Sequence, residues 1–210
     1  MWISPSYQDA DFPSPMSLDD KIKVFEDRTV GWKLDVADQV INGKIRPDGT
    51  KEREPIPHSG YAALDIVFSY FEVIGKYEAG YAQAGDSRRY FKEGGYSIFP
   101  GLRAARPPLG GAGVVGNIRN VVDEVLDIMY EGVRCGLYHT GITNGRVLLT
   151  GEVRHPLAFD PQNGILIINP HLLVPALKQH LGDYVARLRD VNNQDLRRNF
   201  ERRFDYDTRP

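Results

Sequence analysis

The sequence is poor in cysteine and has no long apolar run. Its 210 residues include one cysteine, Cys135, which excludes an internal disulfide framework and fits a reducing compartment. No segment approaches the roughly 18 consecutive apolar residues of a membrane span. The N-terminus also lacks the basic and then apolar layout of a signal peptide. We therefore expect a soluble, cytoplasmic protein with no membrane partner.

A strong net charge is also absent. The formal charge is −2 at pH 7, which argues against a protein that coats nucleic acid nonspecifically but leaves room for a local basic site. Residues 87–119 are the candidate, since their arginines and lysines surround a single acid, Glu93. We predict RNA-backbone contacts from Arg103, Arg106 and Arg119. A solvated loop explains the same cations equally well.

No pattern typical of a metal or cofactor site is present. The histidines and the lone cysteine lack metal-ligand spacing. Residues 111–116 spell G-x-G-x-x-G, but Pro107 and Pro108 stand where the strand before such a loop must end. We therefore predict neither a metal nor a cofactor.

The first half of the chain carries helical patterns. The composition, 41% hydrophobic with 10% aromatic residues, is that of a protein with a real core. Ser17 is a good cap for a first helix, which Gly31 interrupts to give one broken helix or two short ones. A strongly apolar helix opens after Ser59, and a short basic helix over residues 87–93 should end at the glycine pair 94–95.

The second half mixes helices with short strands. We predict, in order, a long loop over residues 96–116, a helix capped by Asn117 and stopped by Gly141, strand signals at 147–149, 153 and 165–168, and two final helices, the first opened by Asn169-Pro170. The predicted fold class is mainly α, a helical bundle with a small β-hairpin or short-strand insertion after the helix that ends at Gly141.

Turn-forming residues indicate one boundary. Asparagine, glycine and proline are concentrated in residues 42–58. We predict an N-terminal arm and helical cap over residues 1–50 and a helical domain over residues 59–205.

Residues 131–141, Glu-Gly-Val-Arg-Cys-Gly-Leu-Tyr-His-Thr-Gly, carry the chemistry. The Arg134 guanidinium is permanently charged and forks onto phosphate oxygens. The His139 imidazole exchanges protons near neutral pH. Together they suit RNA cleavage without a metal, although one imidazole is little for two proton transfers. Five positions on a regular helix differ by about 140°, so we expect the helix to loosen or end at Gly136 and Gly141 and let His139 swing round.

An arginine, four intervening residues and a histidine at the end of an apolar helix resemble the motif of the HEPN superfamily (higher eukaryotes and prokaryotes nucleotide-binding). The sequence of residues 130–141 is especially similar to the corresponding sequences of an uncharacterised bacterial HEPN-like group. The resemblance extends in layout over about residues 59–205. Only Arg134 and His139 match the motif itself, with Cys135 where many members have a polar residue.

The resemblance implies an activity and partners. It implies a helical bundle that forms a homodimer, with the Arg–His pairs of both subunits at the interface. It further implies metal-independent endoribonuclease activity with Arg134 and His139 as catalytic residues, in toxin–antitoxin, CRISPR or phage-defence settings. RNA and an antitoxin or defence-system protein are the implied partners. Gly141 stands where members regulated by adenylylation carry a tyrosine, so this regulation is not expected.

Two other functions remain open, and each site residue also has a purely structural alternative. A non-catalytic HEPN-like module would bind RNA, a nucleotide or a partner protein, and a helical scaffold would bind no ligand. Arg134 is otherwise a surface residue paired with Asp127 or Glu131 on its own helix, and His139 a capping residue at the end of that helix.

Overall fold

The structure is a computed structural model that describes the backbone of residues 1–104 and 115–208 and the side chains of residues 1–102 and 121–208. Within these residues the fold is mainly α, with small β-sheets. The predicted fold class is confirmed at this level.

The first helical run is continuous. It consists of α1 (Leu18–Thr29), a π-helical segment (Val30–Leu34) and α2 (Asp35–Asn42). The predicted start is confirmed, because the Ser17 side chain accepts a hydrogen bond from the backbone N–H of Asp20 at 3.1 Å. The interruption at Gly31 is a π-helical turn. Gly31 also allows a close contact, because a Cβ there would lie 2.5 Å from Cγ of Pro5. The N-terminal arm therefore packs against this turn.

The predicted boundary region contains an exposed hairpin. Its strands are β1 (Lys44–Ile45) and β2 (Lys51–Arg53), which pair antiparallel. Side chains that precede this hairpin in the sequence and side chains that follow it nevertheless belong to one hydrophobic core.

Helix α3 (Gly60–Ala79) runs through the centre of the fold, and its buried side chains point in several directions. It crosses α4 (Ser87–Ile98) at close range. A Cβ at Gly75 would lie 1.9 Å from the carbonyl oxygen of Tyr90, and one at Gly94 would lie 1.8 Å from that of Phe71. The prediction that the glycine pair ends α4 is wrong. The glycines continue the helix because their missing side chains allow two backbones to touch.

The long loop predicted over residues 96–116 is also wrong in its first part. Residues 96–98 complete α4, and a short helix α5 (Pro100–Ala104) follows. The rest of that loop, residues 105–114, lies outside the described residues, and so does most of the glycine-rich stretch at 111–116.

The helix that carries Arg134 and His139 has three parts. These are α6 (Val115–Asp127), a second π-helical segment (Ile128–Cys135) and α7 (Gly136–Thr140). Asn117 lies inside α6, so the predicted cap is wrong. The predicted stop is confirmed, since Gly141 has a φ of 72°, in the left-handed region that glycine favours.

A three-stranded sheet follows the motif helix. Strand β5 (Ile165–Ile168) lies in the middle, parallel to β3 (Val147–Leu149) and antiparallel to β4 (Leu157–Asp160). The short-strand insertion is thus confirmed, although β4 was not predicted and Val153 is not in a strand. Asn169 caps α8 (Pro170–Arg189) by accepting from the N–H of His171, and α9 (Gln194–Asp207) completes the chain.

Candidate functional site

The end of the motif helix is packed against the loop that follows it. The backbone N–H of Asn144 donates to the carbonyl of Gly132 at 3.1 Å. A Cβ at Gly136 would lie 2.7 Å from the carbonyl oxygen of Ile142. The expected loosening is found directly before Gly136, since the π-helical segment ends at Cys135 and the Gly136 N–H donates to the carbonyl of Glu131, five positions back. Gly136 also admits the returning chain, and the helix then continues as α7 through Thr140.

Arg134 is reachable by solvent but already has partners. Its side chain is 28% exposed. The Nη2 atom lies 3.4 Å from Oε2 of Glu72 on α3, and Cζ lies 5.4 Å from the ring centre of Tyr138. The alternative pairing with Asp127 or Glu131 is wrong, since both carboxylates bind Arg88 and Asp127 also binds Lys92.

Glu72 connects Arg134 to α3 and α4. Its carboxylate is only 12% exposed and accepts hydrogen bonds from Lys76 and from the Ser87 hydroxyl. Burial alone would raise the pKa of Glu72, but the hydrogen bonds from Lys76 and Ser87 and the charges of Lys76 and Arg134 lower it. The carboxylate is therefore ionised at neutral pH and holds the guanidinium in place.

His139 lies on the surface. Its ring is perpendicular to that of Tyr138, with 5.0 Å between ring centres. Within the described part of the chain the imidazole forms no hydrogen bond. The alternative role as a helix cap is thus not seen in these residues.

Tyr138 is the residue that joins the two predicted site residues. It follows Arg134 by four positions and precedes His139, and 72% of its surface is exposed. The Arg134 guanidinium lies over the Tyr138 ring, and the His139 imidazole packs perpendicular to the same ring. We call Arg134, Tyr138 and His139 the Arg134–His139 surface.

A cavity lies beside Arg134. Its volume is about 180 Å³, and Asp65, Phe68, Ser69, Leu137 and Tyr138 line it together with Arg134. We call it the Ser69 cavity. A larger cavity of about 430 Å³ between α4–α5 and the three-stranded sheet has an almost wholly apolar lining. Among its described lining residues only His155 has an ionisable side chain, so the chemistry favours the smaller cavity.

The side chains of the three arginines predicted to contact an RNA backbone lie outside the described residues. Arg106 lies outside the described residues, and Arg103 and Arg119 lie in helices whose side chains at these positions are outside them too. Of the neighbouring cations, Arg88 and Lys92 are bound to carboxylates and Arg89 lies 5.4 Å from the ring centre of Tyr90. These contacts compete with a phosphate backbone for the three cations.

A second polar cluster, centred on His180, was not predicted from the sequence. Nδ1 of His180 lies 2.9 Å from the Tyr70 hydroxyl, and Nε2 lies 3.0 Å from the Ser97 hydroxyl. Ser97 donates to the carboxylate of Glu78 at 2.8 Å, so its oxygen accepts from Nε2–H and Nδ1 accepts from Tyr70. Burial, assisted by the charge of Arg187, lowers the pKa of His180 to about 4. The cluster ties three helices together through a neutral imidazole.

Two general features of the described residues bear on function. No group of three or more His, Cys, Asp or Glu side chains is placed to hold a metal ion. No helix there has the length and apolar character that a membrane crossing requires. Comparisons with protein-family models, with curated proteins and with solved structures find no match to this chain.

Proposed function

We propose that this chain is a HEPN-like endoribonuclease that cleaves RNA without a metal, with Arg134 and His139 as its catalytic residues. One observation carries the proposal: a guanidinium and an imidazole, both reachable by solvent, each contact the exposed ring of Tyr138 at the end of one helix. These are the groups that metal-free transesterification of RNA needs.

Each residue of the Arg134–His139 surface has a distinct role in the proposed reaction. His139 takes the proton from the ribose 2′-hydroxyl as that oxygen attacks phosphorus and the bond to the 5′-oxygen breaks. Arg134 stabilises the charge on the phosphorane oxygens. The ring of Tyr138 offers a face on which a base can stack.

The leaving 5′-oxygen needs a proton from a second group. One imidazole cannot serve as base and acid in the same step, and a second protomer would supply the other. We therefore include a homodimer in the proposal. The neighbouring Ile142 is 63% exposed, which gives this end of the helix an apolar residue for contact with a partner. Sedimentation of the purified chain tests this part.

The cellular setting in the proposal is that of a toxin or phage-defence effector, held in check by an antitoxin or another defence-system protein. Expression of the wild type without its partner should slow host growth, and expression of His139→Ala should not. Equal growth of the two strains would count against toxicity.

A non-catalytic HEPN-like module that binds RNA, a nucleotide or a protein is the second candidate. It is favoured by the surroundings of the two residues, since Glu72 pairs with Arg134 and no described side chain forms a hydrogen bond with the imidazole of His139. A catalytic imidazole is commonly held by a second group.

Incubation of the purified protein with total RNA in EDTA separates the candidates. We expect cleavage by the wild type and a loss of about 100-fold or more in His139→Ala and Arg134→Ala. Matched controls are His155→Ala and Arg154→Ala, which remove an exposed imidazole and an exposed guanidinium and should keep full activity. RNA binding without cleavage would support the second candidate instead.

A further inference from the structure

Lys33 differs from the other lysines of this chain. Each of the others lies against a carboxylate or an aromatic ring. Lys33 donates to the Ser69 hydroxyl at 2.7 Å and has no acidic partner among the residues that the structure describes. It is half-buried, and burial lowers its pKa. A half-buried cation without a counter-charge is unfavourable. An anionic ligand beside Lys33 would supply the missing charge.

Lys33 and Arg134 approach the same line of α3. Asp65, Ser69 and Glu72 are spaced by four and then three positions, which places them along one side of a helix. Ser69 binds Lys33 and Glu72 binds Arg134. Residues three apart on a helix have Cβ atoms about 5–6 Å apart. The two cations therefore contact neighbouring residues of α3. Each comes from a π-helical segment.

Ser69 and Arg134 also share a cavity. Both line the Ser69 cavity of about 180 Å³. Lys33 is not part of this lining, but its ammonium group reaches the wall through the hydrogen bond to Ser69. The Ser69 hydroxyl donates to the carbonyl of Ile66, so it accepts from Lys33 and uses one of the three protons of the ammonium group. Two donors of Lys33 remain for a ligand.

We propose that Lys33 and Arg134 together bind one phosphate group in the Ser69 cavity. The cavity is smaller than the roughly 300–1,000 Å³ of sites for drug-sized molecules, which suits a single phosphate rather than a whole nucleotide. Asp65, the acidic residue in its lining, is exposed, so solvent and salt weaken its repulsion. The assignment of this phosphate to an RNA strand rests on the proposed function.

The test is the effect of inorganic phosphate on thermal unfolding of the full chain, against chloride at the same ionic strength. At ten times the dissociation constant, the unfolding midpoint of the wild type should rise by about 3–6 °C. Lys33→Met and Arg134→Met should each lose most of that rise, and Lys33→Arg should keep it. Lys23→Met and Arg154→Met are the matched controls and should respond like the wild type.

Two results would overturn the proposal. One is a wild type that responds to phosphate no more than Lys33→Met does, and the other is a Lys33→Met variant that responds fully. Each variant is compared with its own phosphate-free unfolding, so a change in basal stability does not enter.

Failure of this proposal is distinguishable from failure of the proposed function. A phosphate response that depends on Lys33, in a protein that does not cleave RNA, leaves the anion site and removes the nuclease. Cleavage that requires Arg134 and His139, without a phosphate response at Lys33, does the reverse.

Discussion

Glu72 controls the position of Arg134 at the scale of single residues. Its carboxylate competes with phosphate for the guanidinium. In Glu72→Gln we therefore expect tighter binding of a short single-stranded RNA, by several-fold, measured by fluorescence anisotropy. Because three groups lose an ionised acceptor, the free energy of unfolding should fall by about 1–3 kcal/mol.

The control for Glu72→Gln is Glu124→Gln, which removes a carboxylate that is paired with Arg146 at the surface. Exposed pairs contribute about 0–1 kcal/mol, so this control should unfold much like the wild type and bind RNA equally well. Weaker RNA binding by Glu72→Gln would show that Glu72 holds Arg134 for the substrate rather than away from it.

His180 should make stability depend on pH. Its pKa is about 4 in the folded protein, chiefly through burial, against about 6.5 in an unfolded chain. Between these values the unfolded state binds more protons, so the free energy of unfolding rises with pH and is fully regained above about 6.5. His180→Gln should flatten this rise, which we expect to be on the order of 1–3 kcal/mol because partial exposure weakens it.

Denaturant unfolding at pH 4.5 and pH 7.5 measures the effect of His180. The exposed His155 is the matched control, and His155→Gln should keep the difference in stability between the two pH values. If His180→Gln and the wild type lose the same stability at pH 4.5, the buried imidazole is not the source of the dependence.

The sequence predicted Arg134 and His139 but not the residues that surround them. Tyr138 was within reach of prediction, since it stands four positions after Arg134 on the same helix. Glu72 and Lys33 were not, because they lie 62 and 101 positions from Arg134. Glu72 reaches Arg134 from α3, and Lys33 binds Ser69 of the same helix. His180 was assigned to structure or surface, and its contacts with Tyr70 and Ser97 depend on three separate helices.

The crossing of α3 and α4 is the contact between elements most sensitive to a single methyl group. In Gly94→Ala the new Cβ would overlap the carbonyl oxygen of Phe71, at 1.8 Å, so the helices must separate. We expect a loss of about 3 kcal/mol or more in the free energy of unfolding, measured by urea denaturation.

Gly182→Ala is the control at the same scale. This glycine lies inside α8 with nothing within 4 Å of an added Cβ. Alanine there should stabilise the protein by about 0.5–1 kcal/mol. A Gly94→Ala protein as stable as the wild type would mean that the two backbones do not touch as closely as described.

Helix positions were predictable where caps and apolar spacing decide them. Ser17, Asn169 and Gly141 mark helix ends correctly because their effects are local. Gly94 was misread because a glycine that stops a helix and a glycine that admits a neighbouring backbone look the same in one sequence. The π-helical segments were not predicted, since one extra residue in a turn leaves no signal in the apolar pattern.

At the scale of the whole molecule, the N-terminal arm and the last helix join the same body. Asp27 accepts hydrogen bonds from Ser4 and Ser6 of the arm. Lys21 on α1 is almost fully buried and binds Glu201 and Asp205 on α9. The predicted N-terminal arm is thus held by α1, which links the two ends of the chain.

The unit predicted over residues 59–205 should not fold without the residues before it. Phe25 of α1 packs within 4.6–6.2 Å, between ring centres, of Tyr77, Tyr184 and Phe200, which come from α3, α8 and α9. A fragment of residues 59–210 would expose this aromatic cluster and lose Ile22 and Leu34 from the core. We expect it to aggregate or to show no cooperative unfolding by circular dichroism.

Adding the missing piece in trans is the control for this truncation. If the loss comes from the exposed core, co-expression of residues 1–58 should restore a soluble complex, and a 1–58 piece carrying Phe25→Ala should restore it poorly. A fragment of residues 59–210 that unfolds cooperatively alone would instead support the predicted boundary, since it would mean that α1 and α2 cover a core already complete. The same fragment, lacking Lys33 but retaining Arg134 and His139, would then separate the phosphate site from the cleavage chemistry.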